Sequence, residues 1–266
     1  MDTSDIADAR AAVPGWREVA WPKEHGSWSL ALEPVVLGMI AVPSVAGAGL
    51  ALAAVAGFFT RRPLRIVLFD ANHARRLAAV RALLGCGLLA LAGLAFAVRF
   101  AGASWWPWLL PSALAGVLFL VFDLRKAGRE QGAELAGTAA FGWLPAIFAV
   151  IAGADSTSAV VIGLLMLARS VPTVLTVRAS LRARKTGTRR FAVPIVAAFV
   201  AAMGVGVLCT RGEAPWVAGV LLAVLAARSV ALLLFLPRTV RATTIGIAES
   251  VLGAVYVLAV GIAWRP

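Results

Sequence analysis

Long apolar runs separated by short basic loops make up almost all of the chain. The runs cover approximately residues 27–43, 45–60, 78–98, 105–122, 134–153, 158–177, 191–209, 215–236 and 243–263. Their lengths are close to the roughly 17–25 residues that a helix needs to cross a bilayer, so they predict an all-α, polytopic transmembrane bundle of about nine spans. The first two runs are short and close together. Residues 27–60 therefore form either two spans or one bent unit.

Composition agrees with a membrane location. The chain of 266 residues is 61% hydrophobic, which leaves too little polar surface for a soluble domain of this size. A polar segment with Trp16 and Trp21 precedes the first run, and Pro14 and Pro22 limit helix formation there. We predict a cytoplasmic or interfacial N-terminal segment at 1–26 and a single transmembrane helical domain at 27–266.

The basic residues predict how the spans are oriented. The chain has 25 Lys and Arg residues and a formal net charge of +12. Most of these residues fall in alternate loops, and basic loops favour the cytoplasmic side. The predicted N-terminus is therefore cytoplasmic and the predicted C-terminus is outside. We expect the loops to contact anionic lipid head groups and not nucleic acid, because their charges form no single face.

Ionisable side chains inside the predicted spans are the most informative positions. Each costs about 3 kcal/mol at the centre of a bilayer unless it is paired or hydrated. Arg81 lies close enough to the inner end of its span to reach the head groups. Two interpretations of the others remain open: two acids serve as counter-ions of two bases, or the four line a polar cavity. They are Glu33, Arg169, Arg228 and Glu249.

Helical spacing favours the cavity. Residues three or four positions apart share a helix face, and three spans carry polar residues at this spacing. Pro34 and Pro172 would free backbone carbonyls beside these charges, as broken helices that line cavities do. The stripes are His25, Ser29 and Glu33 in the first span, Arg169, Thr173 and Thr176 in the sixth, with Arg178 at its inner end, and Glu249, Gly253 and Tyr256 in the ninth.

Two loops carry further candidate chemistry. The loop after the second span combines Asp70, Asn72 and His73. One acid and one imidazole form a small ligand set, so a solvated loop and a metal site both remain open. The basic run at 178–190 is interpreted mostly as a contact to lipid head groups, with a phosphate clamp above the cavity as the alternative.

Two segments resemble a known family. Residues Pro22–Trp28 (PKEHGSW), leading into Leu32–Pro34, resemble the opening signature of the YwiC-like family of bacterial membrane proteins. The run Arg169–Thr173 (RSVPT), followed by Arg178, resembles that family's second signature. This resemblance implies a multi-pass protein of the bacterial inner membrane and specifies no reaction.

A more distant resemblance is to the UbiA-type intramembrane prenyltransferases, which share the nine-span layout. The stretch from Arg125 to Pro145 is similar to the junction of their fourth and fifth spans. The likeness implies a cytoplasm-facing cavity for an isoprenoid- or quinone-precursor-like anion. Those enzymes hold Mg²⁺ with two aspartate-rich motifs, whereas the first motif position here has only Asp70 and Asn72 and the second has no carboxylate. Mg²⁺ is weakly supported, and an enzyme of this kind would be a divergent transferase.

Three functions remain open at this stage. The favoured one is binding of an amphipathic anion, with His25 and Glu33 as the candidate catalytic pair that orients or deprotonates an acceptor. The second is transport or export of a small anion or lipid, and the third is a non-catalytic role in assembling a membrane complex. The candidate ligand-binding residues are Arg169, Thr173, Arg178, Arg228, Glu249 and Tyr256.

Overall fold

A computed structural model describes residues 15–21, 25–102, 105–128, 130–235 and 240–265, with the backbone alone at 25–27. The regular structure in these ranges is helical. Its elements are α1 Trp16–Ala20, α2 His25–Ala41, α3 Val45–Phe69, α4 His73–Phe100, a 3₁₀ turn Trp106–Trp108, α5 Leu109–Leu124, α6 Gln131–Gly142, α7 Leu144–Ile151, α8 Ser156–Thr186, α9 Ala192–Thr210, α10 Trp216–Leu234 and α11 Ala242–Ala263.

Seven helical segments of the described chain are long and apolar enough to cross a membrane. The protein is therefore a helical, multi-pass membrane protein whose apolar helices contact lipid. Each predicted run coincides with a helix, but α2 and α3 are not among the seven, since Trp28–Ala41 is short and α3 carries Arg61, Arg62 and Arg65. The count of nine spans, the UbiA-like arrangement and the orientation of the termini stay predictions.

Residues 27–60 form two antiparallel helices and not one bent unit. After the turn at residues 42–44, Ser44 caps α3 by accepting a hydrogen bond from the backbone N–H of Gly47 at 3.0 Å. The Trp28 ring near the start of α2 then lies 5.8 Å from the ring of Phe58 and 5.3 Å from that of Phe59. The two helices therefore run back along each other.

Small residues bring α3 and α4 into backbone contact. A Cβ atom on Gly49 would lie 2.7 Å from the backbone oxygen of Gly93, and one on Gly93 would lie 2.7 Å from the backbone oxygen of Gly49. Without a hydrophobic driving force between helices in lipid, such close packing is a main source of association. This pair forms a compact flank of the bundle beside α2.

The short helix α1 packs at the end of this flank. Val19 and Ala20 are buried against Ile66 of α3 and Ala79 of α4, while Trp16 is half exposed. Arg62 donates a hydrogen bond to the backbone carbonyl of Trp21. An apolar inner side with exposed Trp is typical of a helix at the membrane interface. The cytoplasmic or interfacial segment at 1–26 stays a prediction.

The central helices place the polar stripes opposite each other. Helix α2 packs against α11, α7, α6 and α3, and α8 packs against α6, α7, α9 and α10. The predicted fifth run breaks at Trp143 into α6 and α7, with Pro145 in the first turn of α7. Helix α7 is buried from Leu144 to Ala149, whereas α6 contributes residues to the lining of a cavity.

Candidate functional site

Arg169 of α8 lies at the centre of a buried polar cluster. Its Nη2 lies 3.4 Å from Oε1 of Glu33 on α2 and donates to the backbone carbonyl of Glu249 on α11 at 3.0 Å. Its Nη1 donates to the Thr173 hydroxyl at 2.6 Å, and that hydroxyl donates to the Arg169 carbonyl at 2.8 Å. Arg169 is only 3% exposed. One side chain therefore joins three helices.

A second ion pair completes the cluster. Arg228 of α10 pairs through Nη2 with Oε1 of Glu249, which is itself buried. The two acids and two bases carry no net formal charge. Partnering of this kind is what makes ionisable groups tolerable at membrane depth. We call Glu33, Arg169, Arg228 and Glu249 the ion-pair cluster.

Gly253 provides the room for this arrangement. The Glu33 carboxylate lies directly against its backbone, and a Cβ atom at Gly253 would meet the Glu33 carboxylate and lie 2.6 Å from Nη2 of Arg169. Gly253 is one helical turn from Glu249 on α11, and both are buried. The third polar stripe thus contains a glycine because a carboxylate occupies the space of its side chain.

The cluster borders a cavity of about 980 Å³ between α2, α3, α5, α6, α8 and α11. One wall is apolar and includes the rings of Phe58, Phe119 and Phe141. The polar part of the lining, which we call the polar wall, is formed by Ser29 and Glu33 of α2, Arg169 and Thr173 of α8, and Glu249 and Ser250 of α11. The two walls give the cavity an amphipathic lining.

Basic side chains gather at one end of this cavity. Arg178 pairs with Glu134 at 2.6 Å between Nη1 and Oε1, and Nη2 of Arg61 lies 3.7 Å from Oδ1 of Asp123. The Arg61 guanidinium also stacks 4.5 Å from the centre of the Phe119 ring. Two exposed residues of α8 line the same end. We call Arg61, Arg178, Arg182 and Lys185 the basic end.

Of the eight residues predicted as catalytic or ligand-binding, five line the cavity and two, Arg228 and Tyr256, do not belong to its described lining. Arg228 acts through Glu249, and the buried Tyr256 hydroxyl donates to the Leu165 carbonyl at 2.9 Å, which is a structural contact. The side chain of His25 lies outside the described residues. The five that line the cavity are Glu33, Arg169, Thr173, Arg178 and Glu249.

Asp70 and Asn72 lie away from the cavity and cap helix α4. The Asn72 side chain accepts from the backbone N–H of Arg75 at 3.0 Å, and Asp70 accepts from the backbone N–H of Asn72 at 3.0 Å. Asp70 also pairs with the Arg75 side chain at 3.1 Å. Among the described residues no group of three or more His, Cys, Asp or Glu is placed to hold a metal ion. A metal site at Asp70 and Asn72 stays a prediction.

Sequence reasoning missed Asp123 and Glu134. Asp123 is 3% exposed in the last turn of α5, and it lies within 3.7 Å of both Arg61 Nη2 and Arg65 Nε. A Cβ atom on Gly128 would meet its carboxylate, so the following loop folds closely over it. The signal was an acidic residue at the end of an apolar run beside a basic loop. A charge at the end of a span is ordinarily expected to reach water, so the sequence did not predict that Asp123 is buried.

The chain up to residue 142 supplies α2, α3, α5 and α6 to the cavity, and with them Glu33, Arg61, Asp123 and Glu134. Residues 21–148 match the model of the YwiC-like protein family. This match confirms the resemblance inferred from the opening signature. The YwiC-like segment ends within α7, so α8 and α11 complete the cavity from outside it. No curated protein and no solved structure matches the chain.

Proposed function

We propose that this YwiC-like membrane protein binds an amphipathic, anionic ligand of the isoprenoid or quinone-precursor kind in a cytoplasm-facing intramembrane cavity. The observation that carries the proposal is that one cavity joins an aromatic wall to the basic end. Ligand pockets are typically mostly apolar with a few placed polar groups, and this cavity has that composition.

The anionic group of the ligand is assigned to the basic end and not to Arg169. The basic end has four cationic side chains against the two acids Asp123 and Glu134, so it carries a positive formal charge. Arg169 is buried in the neutral ion-pair cluster. In the proposal Arg61, Arg178, Arg182 and Lys185 hold the anion as guanidinium and ammonium donors. Arg169 and Glu249 shape the inner part of the cavity.

The apolar part of the ligand is assigned to the wall formed by Phe58, Phe119 and Phe141. These rings come from α3, α5 and α6, and they favour a chain or ring system over a small inorganic anion. Burial of apolar surface contributes roughly 25 cal/mol per Å². A ligand that is anionic alone would gain nothing from this wall.

The basic loops support a cytoplasmic location of the basic end. Arg61 lies near the C-terminal end of α3, Glu134 near the N-terminal end of α6, and Lys185 near the C-terminal end of α8. The positive-inside rule assigns such ends to the cytoplasm, and the family resemblance points to the bacterial inner membrane. The proposal is one of binding. Glu33 is engaged with Arg169, so its use as a base would first require release from that pair.

The test is native mass spectrometry of the purified protein with an isoprenyl diphosphate, with and without Mg²⁺. The double variant Arg182→Ala/Lys185→Ala removes two exposed charges of the basic end. The matched control, Arg189→Ala/Arg190→Ala, removes two exposed charges of the adjacent loop that do not line the cavity. We expect binding without Mg²⁺ that weakens about tenfold or more in the first variant only. Equal binding by both variants contradicts the proposal.

Transport of a small anion or lipid is the second candidate. Pro34 lies inside α2 beside Glu33, and Pro172 lies inside α8 between Arg169 and Thr173. Both helices continue through these prolines, and each proline removes one helical N–H donor beside a buried charge. Prolines in membrane helices at such positions are a feature of transporter substrate sites. Uptake of a labelled anion into proteoliposomes, lost in Arg182→Ala/Lys185→Ala and retained in Arg189→Ala/Arg190→Ala, would favour transport over binding alone.

A further inference from the structure

Three hydroxyl groups lie on the polar wall beside the ion-pair cluster. Ser29 of α2 and Ser250 of α11 are hydrogen-bonded to each other across the two helices at 2.7 Å. Thr173 of α8 is bonded to Arg169. All three residues are partly exposed and line the cavity. We call Ser29, Thr173 and Ser250 the hydroxyl cluster.

The hydroxyl protons of the hydroxyl cluster are already donated in hydrogen bonds within the protein. A hydroxyl has one proton and two lone pairs. Either hydroxyl can donate in the 2.7 Å contact, since Ser250 can also donate to the Gly246 carbonyl at 3.0 Å and Ser29 to the Glu33 carboxylate. Thr173 donates to the Arg169 carbonyl at 2.8 Å. The capacity that remains on these three oxygens is acceptor capacity.

The neighbouring carboxylates are hydrogen-bond acceptors as well. Carboxylates only accept, and Oε2 of Glu249 is buried without a hydrogen-bond partner among the described residues. Three N–H contacts of Arg169 go to Glu33, Thr173 and the Glu249 carbonyl. Arg169 is almost completely covered. The Nε–H of Arg169 has no hydrogen-bond partner among the described residues, but it is buried. A group that enters from the cavity would therefore meet mainly acceptor oxygens, which repel an anion.

We infer that the hydroxyl cluster is a second binding subsite, one that takes a neutral hydrogen-bond donor, such as a hydroxyl group, on the ligand end remote from the anion. The inference rests on the proposed function, because it uses the same cavity and assigns the anion to the basic end. Thr173 and Arg182 are nine residues apart on α8, a separation of about 14 Å along a helix. The ligand then has an apolar middle and two different polar ends.

The experiment compares three probes that differ only at the remote end: dodecyl phosphate, ω-hydroxydodecyl phosphate and ω-methoxydodecyl phosphate. The methoxy group accepts hydrogen bonds but cannot donate them. Dissociation constants are measured for the protein in lipid nanodiscs. We expect the hydroxyl probe to bind about fivefold to tenfold more tightly than the methoxy probe, the value of one hydrogen bond.

The double variant Ser29→Ala/Ser250→Ala tests the location of the subsite. We expect it to bind dodecyl phosphate like the unmodified protein and to lose the preference for the hydroxyl probe. Equal binding of the hydroxyl and methoxy probes by the unmodified protein overturns the inference, and so does a preference that survives in the double variant. Failure of dodecyl phosphate itself to bind overturns the proposed function as well, so the two failures are distinguishable.

Discussion

The Arg169 guanidinium and the Glu33 carboxylate are 136 residues apart in the chain, yet they lie 3.4 Å apart inside the helical bundle. Their helices, α8 and α2, belong to the sixth and first predicted spans. The contact explains why a base and an acid are retained in otherwise apolar segments, since each neutralises the other where water is scarce. It also places both residues on the wall of the same cavity.

Breaking this pair should destabilise the protein. Arg169→Met leaves the Glu33 carboxylate buried without its partner, and loss of one member of a buried pair costs about 3–5 kcal/mol. We expect a clear fall in the temperature of thermal unfolding in detergent. The double variant Glu33→Gln/Arg169→Met should recover part of that loss, because no unpaired charge is left. A double variant less stable than Arg169→Met would show that the pair does not act as a unit.

Gly253 should tolerate no side chain. Ala at this position meets the Glu33 carboxylate, and overpacking of this kind costs about 1–3 kcal/mol. Gly246→Ala is the matched control on the same helix, since nothing lies within 4 Å of a Cβ atom there. We expect Gly253→Ala to lower the unfolding temperature and Gly246→Ala to leave it unchanged or raise it. Equal effects of the two would argue against the close approach of Glu33.

The contact between α3 and α4 should depend on its glycines in the same way. Gly93→Ala places a methyl group against the backbone of α3, whereas Gly87→Ala on the same helix points into open space. We expect about 1–3 kcal/mol of destabilisation from the first substitution and none from the second. Thermal unfolding of the two purified variants, side by side, is the measurement. A stable Gly93→Ala protein would mean that the helices lie further apart.

Asp123 should act on ligand binding through Arg61. Its carboxylate lies 3.7 Å from the Arg61 guanidinium, which stacks on Phe119 at the basic end of the cavity. Asp123→Asn keeps the shape but removes the charge that orients Arg61. We expect weaker binding of an isoprenyl diphosphate, by about threefold to tenfold, because a misoriented Arg61 loses about one ordinary hydrogen bond to the anion. Asp70→Asn, at the cap of α4 away from the cavity, is the control and should bind normally.

The sequence alone predicted the helical membrane architecture because apolar runs of bilayer length have few other outcomes. It also predicted that Glu33 and Glu249 either pair with Arg169 and Arg228 or line a cavity. In the structure they are paired, and both acids and Arg169 also border the cavity. Ion pairing and a polar cavity both lower the free-energy cost of a charge at membrane depth. The spacing of the polar residues along the helices therefore could not distinguish between them.

Other features of the site could not be predicted from the sequence, because they depend on contacts between helices. A stripe at helical spacing does not show which neighbour it faces, and Thr176 and Tyr256 turned out to lie in the packed interior. Asp123 and Glu134 lie at helix ends, where a charge is ordinarily hydrated, so their positions in the sequence did not predict the burial of Asp123 or the ion pairs that both form. The role of Gly253 depends on a carboxylate from a helix far away in sequence. These three cases share one cause, since each is decided by a contact between helices.

The most direct measurement is photocrosslinking with an isoprenyl diphosphate analogue that carries a diazirine at the end of its apolar chain. Labelled peptides are identified by mass spectrometry, with and without excess unlabelled isoprenyl diphosphate. The account predicts competable labelling of the cavity wall around Phe58, Phe141 and Thr173. Labelling confined to the exposed outer residues Leu114 and Met203, insensitive to competitor, would contradict it.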